Sequence, residues 1–234
     1  MLAKDIMTKG VITVTPSVRV EEIAATLLER HISAVPVVDS TGCLVGIVSE
    51  GDLLRRPESG TEREPGGWWL RHFADGKSLA QQYLKSHGTE ARHVMSTDVV
   101  TVTPDTSVSQ IAEVLERRRI KRVPVLENQA VVGIVSRANL LHGLASKRGV
   151  VNTEPSLDDR ALREEILSRL HNENWSPGMV HNVVVTAGVV ELWGQFDSGE
   201  ERDAALLLVE TTPGATRVIN HLTSRRAMGN HGYV

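Results

Sequence analysis

The chain of 234 residues is short of the residue types that several kinds of chemistry need. It holds one cysteine, Cys43, so no internal disulfide can form and no cysteine-rich zinc site can be built. No run approaches the roughly 18–20 apolar residues of a membrane span. Neither sign of charge dominates: 26 Lys and Arg face 29 Asp and Glu, a formal net charge of −3. That balance argues against a strongly basic binder of phosphate backbones, and no nucleic-acid partner is expected. Lys4, Asp5 and Lys9 stand where a signal peptide needs its apolar centre, so the cytoplasm is the expected compartment. Gly-x-Gly-x-x-Gly, Walker, His-Glu-x-x-His and Gly-x-Ser-x-Gly patterns are all missing. The nine histidines are scattered; His31, His87 and His93 lack metal-ligand spacing, and Cys43 has no evident base beside it. No catalytic residue, metal ligand or required cofactor is expected.

What is present is an ordinary globular composition, 41% hydrophobic and 24% charged. Formal charge varies along the chain: −2 over 1–55, +1 over 56–92, +3 over 93–153 and −5 over 154–226. The third segment is the one suited to an anion.

An internal repeat organises the first two thirds. Met7-Thr-Lys-Gly-Val-Ile-Thr-Val-Thr-Pro16 matches Met95-Ser-Thr-Asp-Val-Val-Thr-Val-Thr-Pro104. His31-Ile-Ser-Ala-Val-Pro-Val37 matches Arg119-Ile-Lys-Arg-Val-Pro-Val125, and Val45-Gly-Ile-Val-Ser49 matches Val132-Gly-Ile-Val-Ser136. With one single-residue gap, about 22 of some 48 aligned positions are identical. Each copy is too small to bury a good core alone, so the two are expected to pack as a pair.

Within a copy, Val11–Val14 reads as a short strand ending at Pro16. Val20, Ile23, Ala24, Leu27 and Leu28 form a helical stripe, repeated by Val108, Ile111, Ala112 and Leu115. Ser107 and Gln110 have capping-box spacing. Ala34–Val38 and Leu44–Val48 read as strands about the turn Asp39–Gly42, and a last helix opens near Ser49. The predicted order is β-α-β-β-α.

That order, the Ala-Val-Pro-Val-Val element and the segment Gly46-Ile-Val-Ser49-Glu-Gly-Asp52 resemble a tandem pair of CBS domains over residues 2–55 and 92–147. The resemblance implies an α/β (α+β) fold, two β-α-β-β-α repeats packed as a pseudo-two-fold pair. It also implies an adenine nucleotide as regulatory ligand. Gly46, Ser49 and Asp52 fit the family's Gly-x-x-Ser/Thr-x-x-Asp pattern. There a helix N-terminus favours a phosphate, and the acid has two oxygens for the vicinal hydroxyls of a ribose. Residue types alone also allow a plain reading, with Ser49 an N-cap and Asp52 a solvated first-turn acid. The second copy departs from the pattern: Ser136 is followed by Asn139, whose amide has one acceptor oxygen and no charge. Unequal sites are therefore expected, the Asp52 site the stronger.

By the same resemblance, adenine is held by Thr15, Ile32, Ser33, Ala34 and Pro36 in one copy, and by Thr103, Ile120, Lys121, Arg122 and Pro124 in the other. These walls are expected where the copies meet; which wall serves which Ser/Asp motif stays open. Val35 and Val123 read as strand packing. The basic run Arg117–Arg122 reads either as a solvated helix end or, through Lys121 and Arg122, as a partner for a polyphosphate.

Residues 56–92 have no counterpart in the repeat. Gly60–Gly67 reads as loop and Ser78–Leu84 as helix. Four of the chain's eight aromatics, Trp68, Trp69, Phe73 and Tyr83, fall here. They suit either packing of the insert on its own domain or a partner contact.

After a linker at Thr153–Ser156, Leu162, Ile166 and Leu170 mark an amphipathic helix over 158–170. Val183–Phe196 reads as a hairpin turning near Ala187-Gly188; Ser198 and Glu201 open a second helix to about Val209; Thr216–Leu222 reads as a last strand. This α-β-β-α-β order resembles a BON domain over 155–226, on Gly188, Gly194, Gly214 and Asn220, all read as structural. The likeness brings a possible membrane contact, which the segment's acidity disfavours. Trp175 and Trp193 are expected in the core.

The expected layout is repeat 1 over 1–55, insertion 56–92, repeat 2 over 93–150, BON-like domain 155–226 and tail 227–234. Two readings follow. One is a ligand-sensing regulator whose nucleotide occupancy reaches a protein partner through the last domain or the insertion. The other is a dimeric scaffold that binds no ligand, with the last domain meeting lipid or protein. A homodimer is expected in both.

Overall fold

The computed structural model describes residues 1–54, 83–85, 87–146, 155–176 and 182–224. The expected helix and aromatic cluster of the insertion fall largely outside the described residues, as does the tail. The chain forms two compact units, one of residues 11–101 and 126–131, the other of 1–10, 102–125 and 132–234.

In the first unit, α2 (Val20–Glu29) is followed by the antiparallel pair β1 (Ala34–Val38) and β2 (Leu44–Ser49), then by α3 (Glu50–Leu53) and α4 (Ala91–Val94). Most of the helical stripe packs as its spacing predicts, with Val20, Ile23 and Leu27 against Val35, Val37, Val48, Ala91 and Val94, but Leu28 at its edge is 75% exposed rather than buried. Burial of each large side chain stabilises by about 1.5–3 kcal/mol. α2 ends in a Schellman motif, with Ile32 N–H on the Leu27 carbonyl and His31 N–H on that of Leu28. His31 sits at φ 51° and its repeat mate Arg119 at φ 53°, the left-handed position that glycine prefers.

The predicted first strand shrinks to a single parallel bridge, Val14 to Val37, and in the second copy Val102 to Val125. The reason lies in the partner strand. Val14 donates to the Pro36 carbonyl and accepts from Val38, but Pro36 has no N–H with which to extend the ladder. Pro124 stops the second copy in the same way, with Val102 donating to its carbonyl.

The second unit begins with a short helix that the sequence did not signal, α1 (Ala3–Ile6). Val108–Arg117 forms α5, capped by Ser107 and Gln110 as spaced for. β3 (Arg122–Glu127) and β4 (Ala130–Ser136) make the second hairpin and lead into α6 (Arg137–Ala145). The one-residue gap in the repeat falls at this turn: Asn128 and Gln129, both at positive φ, close it in two residues, whereas the first copy uses a longer turn with Gly42 at φ 83°.

The same unit contains α7 (Leu157–Asn172), β5 (Asn182–Thr186), β6 (Val189–Phe196), α8 (Gly199–Glu210) and β7 (Arg217–Ser224). This is the predicted order. β5 and β6 are antiparallel; β7 returns parallel to β6 after the crossover through α8. Leu162, Ile166 and Leu170 meet Val183, Val185, Leu192, Phe196, Ala205 and Val209 in one core, against which Trp175 packs. Asn220 Oδ1 accepts the Leu222 N–H at 2.8 Å, in keeping with a structural role. β5 is buried at all five residues, so both of its faces are covered.

Candidate functional site

The Ser/Asp motif of the first copy lies where β2 runs into α3. The Asp52 carboxylate folds back on Ser49: Oδ2 accepts the Ser49 N–H at 2.9 Å and the Ser49 hydroxyl at 2.6 Å. Among the described residues its other oxygen, Oδ1, meets only the Ser96 hydroxyl, at 3.5 Å. Asp52 is half-buried. A carboxylate offers about four acceptor positions, so Oδ1 keeps capacity for a further donor.

The second motif, at the β4–α6 junction, has the same frame and a different inventory. Asn139 Oδ1 accepts the Ser136 N–H at 2.8 Å and hydroxyl at 2.6 Å. Its Nδ2 donates to the Ile6 carbonyl at 2.9 Å and to Thr8 Oγ1 at 3.2 Å. An amide has two lone pairs and two N–H groups, and all four are in use. Asn139 is buried at 4% exposure, unlike Asp52. The partner positions are themselves repeat mates, Thr8 matching Ser96. The family resemblance leads one to expect a weaker ribose site at Asn139; only the structure shows that its amide holds Ile6 and Thr8. Ser96 is the residue that motif reading passes over, and its signal was its place beside Met95 at the head of the repeat.

Each expected adenine wall lies beside the motif of its own copy. Ala34 pairs with Ser49 across β1 and β2, and the Ser33 carbonyl accepts the Glu50 N–H at 3.1 Å. Likewise the Lys121 carbonyl accepts the Arg137 N–H at 3.2 Å, and Arg137 Nη2 reaches the Ile120 carbonyl at 3.4 Å. Thr15 and Thr103 are exposed and follow the bridging residues Val14 and Val102, which donate to Pro36 and Pro124. Ala34, Pro36 and Pro124 are buried, Ile32, Ser33, Ile120 and Arg122 half-buried, and Lys121 exposed.

The CBS-domain family matches residues 3–59 and 91–146, and the BON-domain family matches residues 158–226. YlbB of Bacillus subtilis is 30% identical over 58% of this chain and 78% of its own length. The chain belongs to the CBS-domain family. The CBS domain-containing protein YhcV of Bacillus subtilis is 28% identical over 58% of this chain and 81% of its own. The protein MJ1404 of Methanocaldococcus jannaschii is 28% identical over 62% of this chain, which spans only 32% of MJ1404. A solved structure of CBSX2 in complex with AMP has TM-score 0.54 and 24% identity, covering 62% of this chain and 97% of CBSX2, a likeness of fold. None of the described helices is long and apolar enough to cross a membrane.

The BON domain is joined to the second CBS repeat and the N-terminal strip by polar contacts. Arg160 of α7 donates to both oxygens of buried Asp5, at 2.7 and 3.3 Å. Arg163, buried, donates through Nε to the Val183 carbonyl at 2.7 Å and through Nη2 to the Met7 carbonyl at 2.6 Å. Burial pushes its guanidinium down to about 10, against the pull of Glu164 and Asp5. Lys9 pairs with Glu164. Trp193 does not enter the BON core as expected. It lies on the sheet's other face, stacked between His142 of α6 (ring centroids 4.4 Å apart) and His221 of β7 (4.7 Å). Asn182 Nδ2 lies 2.7 Å from His142 Nδ1.

Proposed function

We propose that the CBS pair senses an adenosine-containing ligand, AMP, ADP, ATP or an S-adenosyl compound, and that occupancy is passed to a protein partner through the BON domain or the segment 56–92. The role is regulatory rather than catalytic, in a cytoplasmic homodimer. The observation that carries this reading is the acceptor capacity left on Asp52. Its carboxylate is oriented by Ser49 and keeps an oxygen for a ribose hydroxyl. Charged acceptors make the stronger hydrogen bonds, about 1.5–3 kcal/mol each.

In this reading Thr15, Ile32, Ser33, Ala34 and Pro36 contribute to one adenine wall, and Thr103, Ile120, Lys121, Arg122 and Pro124 to the other. Ser136 and Asn139 make the weaker site. CBSX2 carries AMP on the same fold; for this chain the ligand class rests on the Ser49–Asp52 chemistry. The test is calorimetry and thermal shift with AMP, ADP, ATP and S-adenosylmethionine. A binder raises the melting temperature by mass action. Asp52→Ala is expected to weaken the tightest ligand at least about tenfold, or 1.4 kcal/mol. Equal affinity in wild type and Asp52→Ala overturns the assignment of the ribose to Asp52.

A further inference from the structure

We propose that the seated BON domain holds the second repeat's Ser136–Asn139 motif shut, so that BON seating and nucleotide binding at that motif exclude each other. The proposal rests on the nucleotide-sensing reading and adds to it a regulatory contact. A ribose hydroxyl bonded to Asn139 must take over a position now filled by Ser136, Ile6 or Thr8, because the amide has none to spare. The strip that fills two of them is anchored on both sides. Thr8 exchanges backbone hydrogen bonds with Ile134, each at 3.0 Å. From the BON side, Arg163 holds the Met7 carbonyl, Arg160 grips Asp5 and Glu164 pairs with Lys9. Met7 is also lodged over Gly133, where an added Cβ would collide with its sulfur.

Residues 5–9 thus stand between the motif and α7. Moving them off Asn139 breaks a buried arginine–carbonyl bond and strains the partly buried pair of Arg160 with Asp5, which is costly where a charge is poorly solvated. The first repeat shares the inner anchors, with Ser96 exchanging backbone bonds with Ile47 and Met95 lodged over Gly46, but among the described residues its strip, Val94–Ser96, has no outer hold like that of Arg163 on Met7 and meets Asp52 only through the long Ser96 contact. Linkage makes the effect reciprocal, so a ligand that takes Asn139 loosens the BON domain by the factor with which BON weakens the ligand.

The experiment is calorimetric titration of the full chain with AMP, and with ATP and S-adenosylmethionine as further probes. Wild type is expected to bind one molecule per chain. Arg163→Met keeps the side chain's length and removes its hold on Met7; it is expected to bind a second, weaker molecule, with the first affinity unchanged within about twofold. Should Arg163→Met fail to fold by circular dichroism, Arg160→Gln, which loosens the partly buried pair with Asp5, gives the same second site. Two sites in wild type, or one site in a folded variant, overturns the proposal and leaves the sensing reading intact. No binding of any probe to any form overturns both.

Discussion

Asp159 ties a helix start to a hairpin turn. Its carboxylate accepts from the Ser156 N–H (2.9 Å) and hydroxyl (3.0 Å), and from the N–H groups of Ala187 (3.1 Å) and Gly188 (2.8 Å). Burial raises its carboxyl's affinity for a proton, but the bonds from Gly188, Ser156 and Ala187 together outweigh that and hold it below the usual carboxylate range. A depressed folded value means that the stabilisation is fully present above the unfolded value of about 3.9 and is lost as pH falls through the folded one. Asp159→Ala is expected to cost about 2–3 kcal/mol in urea unfolding at pH 7, and clearly less at pH 3, where the wild type has lost much of the same interaction. Single residues were legible in the sequence where their partners lie three positions away, as in the capping pairs Ser107–Gln110 and Ser198–Glu201. The turn held by Asp159 and the Ile6 carbonyl held by Asn139 are reached only through the fold, and local spacing carries no trace of them.

At the scale of elements, the face of the BON sheet turned away from its own helices meets α6 through the ring stack of His142, Trp193 and His221. Burial, and then the charge on His221, lowers the proton affinity of His142. Glu191, buried at the foot of the same face, contacts His221 Nε2 at 3.2 Å. A histidine with a depressed folded value stabilises above its unfolded value of about 6.5, and that contribution declines as pH falls through the lower folded value. The melting temperature is therefore expected to drop between pH 7.5 and 5.5, and His142→Gln to flatten that drop; parallel curves for the two proteins would exclude the role. This docking face had a faint signal in the sequence. Val183-Val-Val is a continuous apolar run rather than an alternation, which marks a strand covered on both faces. The charged α7 residues Arg160 and Arg163 gave none, because the helical stripe is read from its leucines and isoleucine. The repeat's first strand was over-read, since a β-branched run predicts pairing while Pro36 and Pro124 in the partner strands limit it.

At the scale of the molecule, residues 102–125 and 132–146 of the second CBS repeat, the strip 1–10 and the BON domain share one compact unit. Their amides are expected to exchange as a cooperative group: in native-state hydrogen exchange, Thr8, Ile134 and Val185 open with similar free energies. Independent opening of Val185 would show that the BON domain is only tethered. A family order of repeat, repeat, BON was readable from motifs, whereas the linker at 153–156 suggested separate bodies; a buried arginine on a carbonyl 156 residues away in sequence makes them one unit. This has a consequence during synthesis. The strip around Ile6 leaves the ribosome long before Asn139, 133 residues further on, and Arg163 later still. The first ten residues must therefore stay accessible until most of the chain has been made, and a bulky fusion placed at Met1 would hinder the closure of the far end of the protein more than the folding of its near end.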